Sequence, residues 1–283
     1  MPTTLGVDIG GTSVKAAVRV DGEIVRTGQS GFYEKPTTQQ LLNAIRAAAG
    51  EIDQLQRVGL CVPGLLDRSR RVITLTVNVP GLQGFPLDRL VPEALGLSGE
   101  RSTTIGNDAS ATAHDLFEAQ NLTGRLLVLT LGTGVGAAVV DDGKLLRVEG
   151  DSSGHIGQID VSIPGADIIG PDGGAGGLEG YIGVPALKRV FGDDLSKVFP
   201  SLTGDEPALL ALVRTIRICH AIYRPHHVRL CGGIGTRLTH LLPAIRAKVE
   251  HHLTSVARSG WTLACGTDDF HAARGAALLA DDT

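Results

Sequence analysis

The feature that most constrains this chain is a strand–turn–strand pattern that occurs twice. In the first copy a short apolar run reaches the glycine turn Asp8–Thr12, and the next strand-like run ends at Asp21-Gly22. The second copy has the same order, with the turn Gly132–Gly134 and the pair Asp142-Gly143. Asp-Gly pairs between strand-like runs are strong hairpin signals. Two such copies in one chain indicate two similar halves.

Strand-like and helix-like runs alternate along the chain, which predicts an α/β fold. The predicted strands are Leu5–Ile9, Ser13–Val20, Glu23–Thr27, Arg57–Val62, Thr103–Ile105, Leu126–Leu131, Val135–Asp141 and Val228–Cys231. The predicted helices are Thr38–Ile52, Ala109–Leu122, Glu206–Tyr223, Leu238–Leu253 and Ala272–Ala280. Thr38 is the expected N-cap of the first helix, and the glycine-rich run Gly165–Gly183 is predicted to be an irregular loop. We expect one domain over residues 1–115, with a C-terminal helix of residues 271–283 packing back on it, and a second over residues 116–270.

Composition argues against several functional classes. The net charge is −4, Lys and Arg are scattered, and aromatic residues make up only 4% of the chain, so we expect no nucleic-acid partner. The four cysteines form no CxxC pair, which predicts reduced thiols in a cytoplasmic protein. A strand-like run begins within the first residues, and no apolar run reaches membrane-spanning length. We therefore expect neither a signal peptide nor a membrane anchor.

The first glycine turn has the residue types of a phosphate site. In Asp8-Ile9-Gly10-Gly11-Thr12 the backbone N–H groups and the Thr12 hydroxyl can bind a phosphate, while the Asp8 carboxylate can reach a hydrated Mg²⁺. We expect Lys15, three residues after Thr12, to contact the nucleotide as well. The alternative interpretation is an ordinary Gly-Gly turn with an aspartate cap.

Two further glycine turns are candidates for nucleotide contact. The run Gly132-Thr133-Gly134-Val135-Gly136 superficially resembles a dinucleotide fingerprint, but a β-branched strand follows it where that motif requires a helix. A second phosphate-binding hairpin fits this context better. Gly232 and Gly233 follow a predicted strand and precede a helix, where a close approach to a nucleotide is possible. Taken alone, this third turn is a weak signal.

The pair Asn107-Asp108 lies where a predicted strand meets a predicted helix. A carboxylate in this position can accept the proton of a hydroxyl group that attacks phosphorus. The alternative interpretation is a simple helix cap.

In their order along the chain these motifs resemble an actin-like ATPase fold (ribonuclease H-like, two α/β domains with mixed sheets flanked by helices), and more narrowly the ROK family of bacterial sugar kinases and repressors. The resemblance spans nearly the whole chain. The matching segments are Asp8–Thr12, Gly59–Gly64, Asn78–Gly81, Asn107–Ala109, Gly132–Gly136, Gly143–Leu146, Leu178-Glu179, Pro225–Gly233 and Arg274–Ala277.

The resemblance implies roles for individual residues. Asp108 matches the family's catalytic base, and Asn78, Asn107 and Glu179 match its sugar contacts. The turns Gly10–Thr12 and Gly132–Gly134 match its phosphate turns. The implied cofactors are ATP and Mg²⁺, and the implied assembly is a homodimer.

The sequence departs from the family in one loop. A gapless count from Gly132 puts His155 where the family has a sugar-binding glutamate, and Gln158 where it has a histidine that contacts sugar and zinc. A short shift would instead match Gly154-His155 to the family's Gly-His and leave Ser152 at the glutamate position. The cysteine cluster that should follow is absent, so we expect no zinc. Because a histidine can donate a hydrogen bond where a glutamate only accepts, hydroxyl recognition should shift away from plain glucose or weaken.

The favoured hypothesis is an ATP-dependent kinase of a hexose or related polyol, with Asp108 as base, His155 and Gln158 among the sugar contacts, and Asp8 on Mg²⁺ through water. One alternative is a non-catalytic sugar or nucleotide sensor. The DNA-binding domain of ROK repressors would not fit ahead of Asp8, so such a sensor would act through protein partners. Another is a polyphosphate-dependent glucokinase, which a long basic groove would favour, but the chain has no basic run.

Overall fold

The computed structural model describes residues 3–76, 78–99, 101–148, 153–171 and 173–281. Its strands are β1 Thr3–Ile9, β2 Val14–Val20, β3 Glu23–Gln29, β4 Leu55–Cys61, β5 Leu65–Leu66, β6 Ile73–Leu75, β7 Ser102–Gly106, β8 Arg125–Leu131, β9 Val135–Asp141, β10 Lys144–Leu145, β11 His227–Cys231 and β12 Thr262–Cys265. Its helices are α1 Thr38–Ala49, α2 Leu87–Leu95, α3 Asp108–Ala119, α4 Leu178–Ile182, α5 Val184–Phe191, α6 Leu195–Val198, α7 Pro207–Tyr223, α8 Gly232–Gly235, α9 Leu242–His251 and α10 His271–Asp281. Among the described residues, no helix is long and apolar enough to cross a membrane.

Contacts along the chain divide it into two compact units. Unit 1 is Met1–Leu116 with Phe270–Thr283, and unit 2 is Phe117–Asp269. Each unit contains a five-stranded sheet, ordered β3-β2-β1-β4-β7 in unit 1 and β10-β9-β8-β11-β12 in unit 2. In both sheets the first three strands are antiparallel neighbours, and the last two run parallel to the central strand. The predicted α/β class, with mixed sheets and a repeated topology, is confirmed.

The two Asp-Gly pairs form the predicted hairpin turns. Asp21 and Gly22 have φ values of 50° and 89°, and Asp142 and Gly143 have φ values of 46° and 81°. Two successive positive φ angles are typical of the type I′ turn, whose twist matches that of the flanking strands. The hairpin in each unit is therefore specified locally by two residues.

The predicted N-cap of α1 was wrong by one residue. Thr37 has an extended backbone and forms a reciprocal capping box with Gln40, in which each side chain bonds the other residue's backbone N–H. Thr38 is the first helical residue, and its hydroxyl donates a hydrogen bond to the carbonyl of Gly81 (2.7 Å).

Two predicted segments in unit 2 also needed correction. The helix predicted over Leu238–Leu253 is a 3-10 helix over Thr236–Leu241 followed by α9. Pro243 lacks an N–H to continue hydrogen bonding to the preceding turn, so it lies in the first turn of α9 instead. Gly165–Gly183 is not wholly irregular, because its last part forms α4, which buries Leu178 and Ile182 in the core of unit 2.

Helix α10 packs directly on the backbone of the sheet in unit 1. A Cβ atom added to Gly6 would lie 1.9 Å from the carbonyl oxygen of Ala273, and one added to Gly59 would lie 1.8 Å from that of Ala276. These separations are far inside van der Waals contact, so only glycine permits the helix to approach β1 and β4 this closely. The small residues of α10 serve this same close contact.

We predict that Gly59→Ala lowers the free energy of unfolding by roughly 2–3 kcal/mol, because the added methyl group forces α10 away from β4. Urea denaturation would measure the change. Gly31→Ala is the matched control, since nothing lies within 4 Å of a Cβ added there. Equal stability of the two variants would contradict the packing described for α10.

Candidate active site

Parallel strands of unit 1 end at one edge of its sheet and carry predicted site residues there. Asp8, near the end of β1, pairs with Lys15 on β2 and with Cys61 on β4. Cys61 in turn pairs with Gly106, the last residue of β7, and Asp108 follows two residues later. Carboxyl ends of neighbouring parallel strands lie side by side. The fold of unit 1 therefore brings Asp8 and Asp108 together.

The carboxyl groups of Asp8 and Asp108 influence each other electrostatically. Burial, and then the charge of Asp108, raise the pKa of Asp8 to about 7, although Lys15 opposes this. Desolvation by the surrounding protein also raises the pKa of Asp108, while hydrogen bonds from the backbone N–H groups of Ala109 and Asp108 oppose this. The Asp108 side chain nevertheless remains exposed. Burial, followed by the two carboxylates, raises the pKa of the Cys61 thiol well above its ordinary value, so this cysteine is protonated and a poor nucleophile. A cation bound at this edge would relieve the repulsion between the carboxylates.

The start of α3 determines the orientation of Asp108. The Asn107 side-chain oxygen accepts a hydrogen bond from the Ser110 N–H (2.8 Å), so the helix-cap interpretation is confirmed for Asn107. Asp108 is the first helical residue, and its Oδ1 accepts a hydrogen bond from the Ala109 N–H (2.8 Å). The positive end of the helix favours the ionised form of a carboxyl group there. Asp108 is thus a solvent-accessible carboxylate in a fixed position, as a general base requires.

The glycine turn that follows Asp8 is held in place by a residue to which no sequence motif pointed. The Tyr33 hydroxyl donates a hydrogen bond to the carbonyl of Gly10 (2.6 Å), and the Tyr33 N–H donates one to the carbonyl of Thr12 (2.9 Å). Burial and the charge of Asp8 raise the pKa of Tyr33, which keeps the phenol protonated and able to donate. Gly11 lies between these two anchored carbonyls, and Lys15 is half-buried on β2 next to Asp8.

Tyr33 escaped sequence-based prediction because it lies in an irregular segment beyond β3 and reaches the turn only through the fold. The weak signal available was an aromatic residue within a polar stretch, in a chain that has only three tyrosines.

In unit 2 the second glycine turn is bound to Glu179. The Val135 N–H donates a hydrogen bond to Glu179 Oε2 (2.9 Å). The same carboxylate oxygen lies 2.9 Å from the place of a Cβ on Gly134 and 3.1 Å from the place of a Cβ on Gly157. The Val184 N–H donates a hydrogen bond to the carbonyl of Gly132 (2.9 Å), which joins α5 to the turn. The fold therefore gathers the Gly132–Gly134 turn, Glu179 and the 156–158 turn within unit 2.

The loop in which the sequence departs from the ROK pattern contains a short 3-10 turn over Ile156–Gln158. His155 and Gln158 both have exposed side chains, and the Gln158 N–H donates to the carbonyl of His155 (3.1 Å). They flank Gly157, which contacts Glu179. Ser152, the residue that the alternative alignment would use, lies outside the described residues.

Three other predicted residues occupy different surroundings. Asn78 is exposed and precedes the 3-10 turn Pro80–Leu82, which is bound to the start of α1 through a hydrogen bond from the Gly81 N–H to the carbonyl of Pro36 (3.0 Å). Gly232 has a φ of 76°, and a Cβ there would lie 2.6 Å from the carbonyl oxygen of Leu131, so packing against β8 accounts for this glycine. Gly233 has more space, because a Cβ atom added there would lie 3.7 Å from the Arg237 guanidinium, an ordinary van der Waals separation.

Possible metal ligands at the site come from unit 1. Within the described ranges, no group of three or more His, Cys, Asp or Glu side chains could hold a metal ion. Mg²⁺ needs fewer protein ligands, because it is usually bound by one or two carboxylates together with substrate phosphates. Asp8, a buried carboxyl group beside the charge of Asp108, fits that donor set.

Comparison with known proteins gives consistent matches. A family model described as the ROK family matches residues 4–283. N-acetylmannosamine kinase of Escherichia coli is 30% identical over 224 residues, which cover 76% of this chain and 75% of that protein. N-acetylmannosamine kinase of Escherichia fergusonii is 30% identical over 227 residues, with the same coverage of 76% and 75%.

Solved structures match over almost the entire chain. A ROK family glucokinase from Streptomyces griseus, in complex with glucose and AMPPNP, has a TM-score of 0.76 at 22% identity and covers 99% of this chain and 100% of its own. A ROK hexokinase from Thermus thermophilus has a TM-score of 0.73 at 25% identity, with 99% and 98% coverage. These neighbours confirm the fold class expected from the sequence, that of the actin-like ATPases.

We predict that Tyr33→Phe speeds amide hydrogen exchange in the turn around Gly10 by about two- to tenfold, because it removes one partly buried hydrogen bond. Peptide-level exchange followed by mass spectrometry would measure this. The matched control is Tyr181→Phe, which removes a tyrosine hydroxyl bond to the carbonyl of Ala166 in unit 2. Unchanged exchange around Gly10 in Tyr33→Phe would contradict the anchoring role of Tyr33.

Proposed function

We propose a function on the premise that the chain belongs to the ROK family. The function is that of a sugar kinase, which transfers the γ-phosphoryl group of ATP to a hydroxyl group of a hexose or related sugar. The observation that carries this proposal is that Asp8 and Asp108 lie at the same edge of the unit 1 sheet, beside the anchored Gly10–Thr12 turn. Phosphoryl transfer depends on positioning and charge neutralisation, which this arrangement can supply.

Asp108 acts as the general base in this proposal. As the sugar oxygen attacks the γ-phosphorus, its proton passes to the Asp108 carboxylate, and the bond from phosphorus to the ADP oxygen breaks. The hydrogen bond from the Ala109 N–H supports the ionised form of Asp108, which is the form that accepts the proton. Asn107 holds the first turn of α3 and so keeps Asp108 in position.

Asp8, Lys15 and the Gly10–Thr12 turn bind the nucleotide phosphates and their cation. Asp8 would hold Mg²⁺ through water, and the ion would supply neutralisation of the phosphate charge. Tyr33 presents the turn in one conformation through its two hydrogen bonds. In unit 2 the candidates for nucleotide contact are Gly132, Thr133 and Gly134, together with Gly232 and Gly233.

The proposed sugar contacts are Asn78 and Asn107 in unit 1 and His155, Gln158 and Glu179 in unit 2. Glu179 already accepts a hydrogen bond from Val135, which fixes its carboxylate beside Gly157. An exposed imidazole at His155 can donate to an acceptor, such as the carbonyl oxygen of an N-acyl group, where a carboxylate could not. Because the relatives that match at 30% identity are N-acetylmannosamine kinases, N-acetylhexosamines belong among the substrates to be tested.

The same proposal includes a zinc-free homodimer in the cytoplasm. The free cysteines lie at scattered positions, which supports reduced thiols and a protein without zinc; they are Cys61, Cys219, Cys231 and Cys265. Size-exclusion chromatography with light scattering and metal analysis of the purified protein would test the assembly and the metal content.

We predict sugar-dependent ADP release with Mg²⁺-ATP and at least one member of a panel of hexoses, N-acetylhexosamines and polyols. A parallel series with polyphosphate in place of ATP, measured by formation of sugar phosphate because no ADP can form, identifies the phosphoryl donor. Nucleotide or sugar binding without turnover across the whole panel would contradict the kinase and favour a sensor.

We predict that Asp108→Asn lowers kcat by roughly 10²–10⁴, the range expected for loss of a general base. An asparagine keeps the size of the side chain and an oxygen that can accept from the Ala109 N–H. Asp88→Asn is the matched control, because Asp88 is also an aspartate in the first turn of a helix in unit 1. Equal kcat values for the wild type and Asp108→Asn would remove Asp108 from its proposed role.

A further inference from the structure

Unit 2 contains a basic pocket apart from the glycine turns. It has a volume of about 530 Å³ and is bordered by α7 and by residues 252–257, which follow α9. Its basic side chains are Arg214, Arg217, His220 and His252, and none of the residues that line it is acidic. None of the residues proposed for nucleotide or sugar contact lines it either, so the pocket requires a separate explanation.

The basic side chains of α7 are arranged on one face of the helix. Arg214, Arg217 and His220 follow each other at intervals of three residues, which places them next to one another along α7. Arg214 donates a hydrogen bond to the carbonyl of Ser162. Hydrogen bonds from Ser162, and to a smaller extent the charge of Arg214, lower the pKa of Asp160. Burial, and then the nearby charge of Arg217, lower the pKa of the His252 imidazole. Burial also lowers the pKa of His220 to about 4. Both imidazoles are therefore neutral near pH 7, and the positive charge of the pocket comes from Arg214 and Arg217.

Buried polar groups without partners lie at the wall of this pocket. His220 is only 1% exposed, and neither of its ring nitrogens has a hydrogen-bond partner. Arg217 Nε is also buried without a partner. The edge-to-face contact of His220 with Trp261, at a centroid distance of 4.6 Å, holds the imidazole in place. Leaving buried polar groups unpaired is costly, so a ligand oxygen that accepted from Arg217 Nε–H or from the single N–H of neutral His220 would relieve that cost.

The size and lining of the pocket indicate the class of ligand. Its volume lies in the range of small-molecule sites, and Ile218, Leu253 and Val256 provide apolar surface beside the basic groups. A guanidinium group binds phosphate through paired N–H donors. The guanidinium groups of Arg214 and Arg217 offer more N–H donors, and more positive charge, than the two oxygens and single charge of one carboxylate can match, whereas a phosphate monoester has three terminal oxygens and up to two charges. We propose that this pocket binds a small phosphate monoester with an apolar body.

Isothermal titration calorimetry of the full chain with phenyl phosphate tests this inference. Saturating AMPPNP in the cell blocks the proposed nucleotide site. We expect one binding event, weakened at least about tenfold in Arg217→Met, because a charge-assisted hydrogen bond is lost while the aliphatic stem is retained. Arg89→Met is the matched control, since Arg89 pairs with Glu93 on α2 in unit 1 and should leave binding unchanged.

Two comparison ligands separate the contributions of charge and apolar body. Inorganic phosphate should bind more weakly than phenyl phosphate, and benzoate more weakly still. The inference would be overturned if the wild type did not bind phenyl phosphate, or if it bound benzoate more tightly than phenyl phosphate. Far-UV circular dichroism checks the fold of each variant, and Arg214→Met replaces Arg217→Met if the latter does not fold. Wild-type affinity in the folded arginine variants would likewise overturn it.

Discussion

Close backbone contact between α10 and the first sheet underlies the geometry of the candidate site. Gly6 and Gly59 let the helix reach β1 and β4, and Gly275 brings it equally close to the carbonyl of Ala111 on α3. Asp115 on α3 strengthens the same contact, because its carboxylate lies 2.6 Å from His271 Nδ1 and 3.1 Å from Arg274 Nε. The first turn of α3 carries Asp108. Glycines in β1, β4 and α10 thus permit the packing that holds α3, the helix that carries the proposed base.

The proposed chemistry depends on two carboxylates in different surroundings. Asp8 is within the sheet, and burial together with its charged neighbour raises its pKa to about 7. Asp108 is at a helix start, open to solvent and supported by a backbone N–H. The first arrangement suits a residue that acts beside a cation, and the second suits one that accepts a proton from a substrate. Divergent environments of this kind are how proteins give similar residues different roles.

Local patterns in the sequence predicted much of the fold and of this site. Asp-Gly pairs and alternating apolar residues depend on nearest neighbours, so the hairpins at Asp21-Gly22 and Asp142-Gly143 were correct. Tyr33 could not be found in this way, because its partner Gly10 is distant in sequence and the contact forms only in the folded chain. The N-cap of α1 was misplaced because two adjacent threonines offer the same chemistry, and only the reciprocal bonds with Gln40 distinguish them.

The proposed reaction of this ROK family chain moves the terminal phosphoryl group of ATP onto a sugar hydroxyl. A decisive experiment follows γ-³²P-labelled ATP after incubation with Mg²⁺ and each candidate sugar, with chromatographic separation of the products. We expect label in a sugar phosphate, for a subset of sugars, in proportion to the ADP formed. Label that appears only as inorganic phosphate, at the same rate with and without sugar, would contradict the proposed transfer.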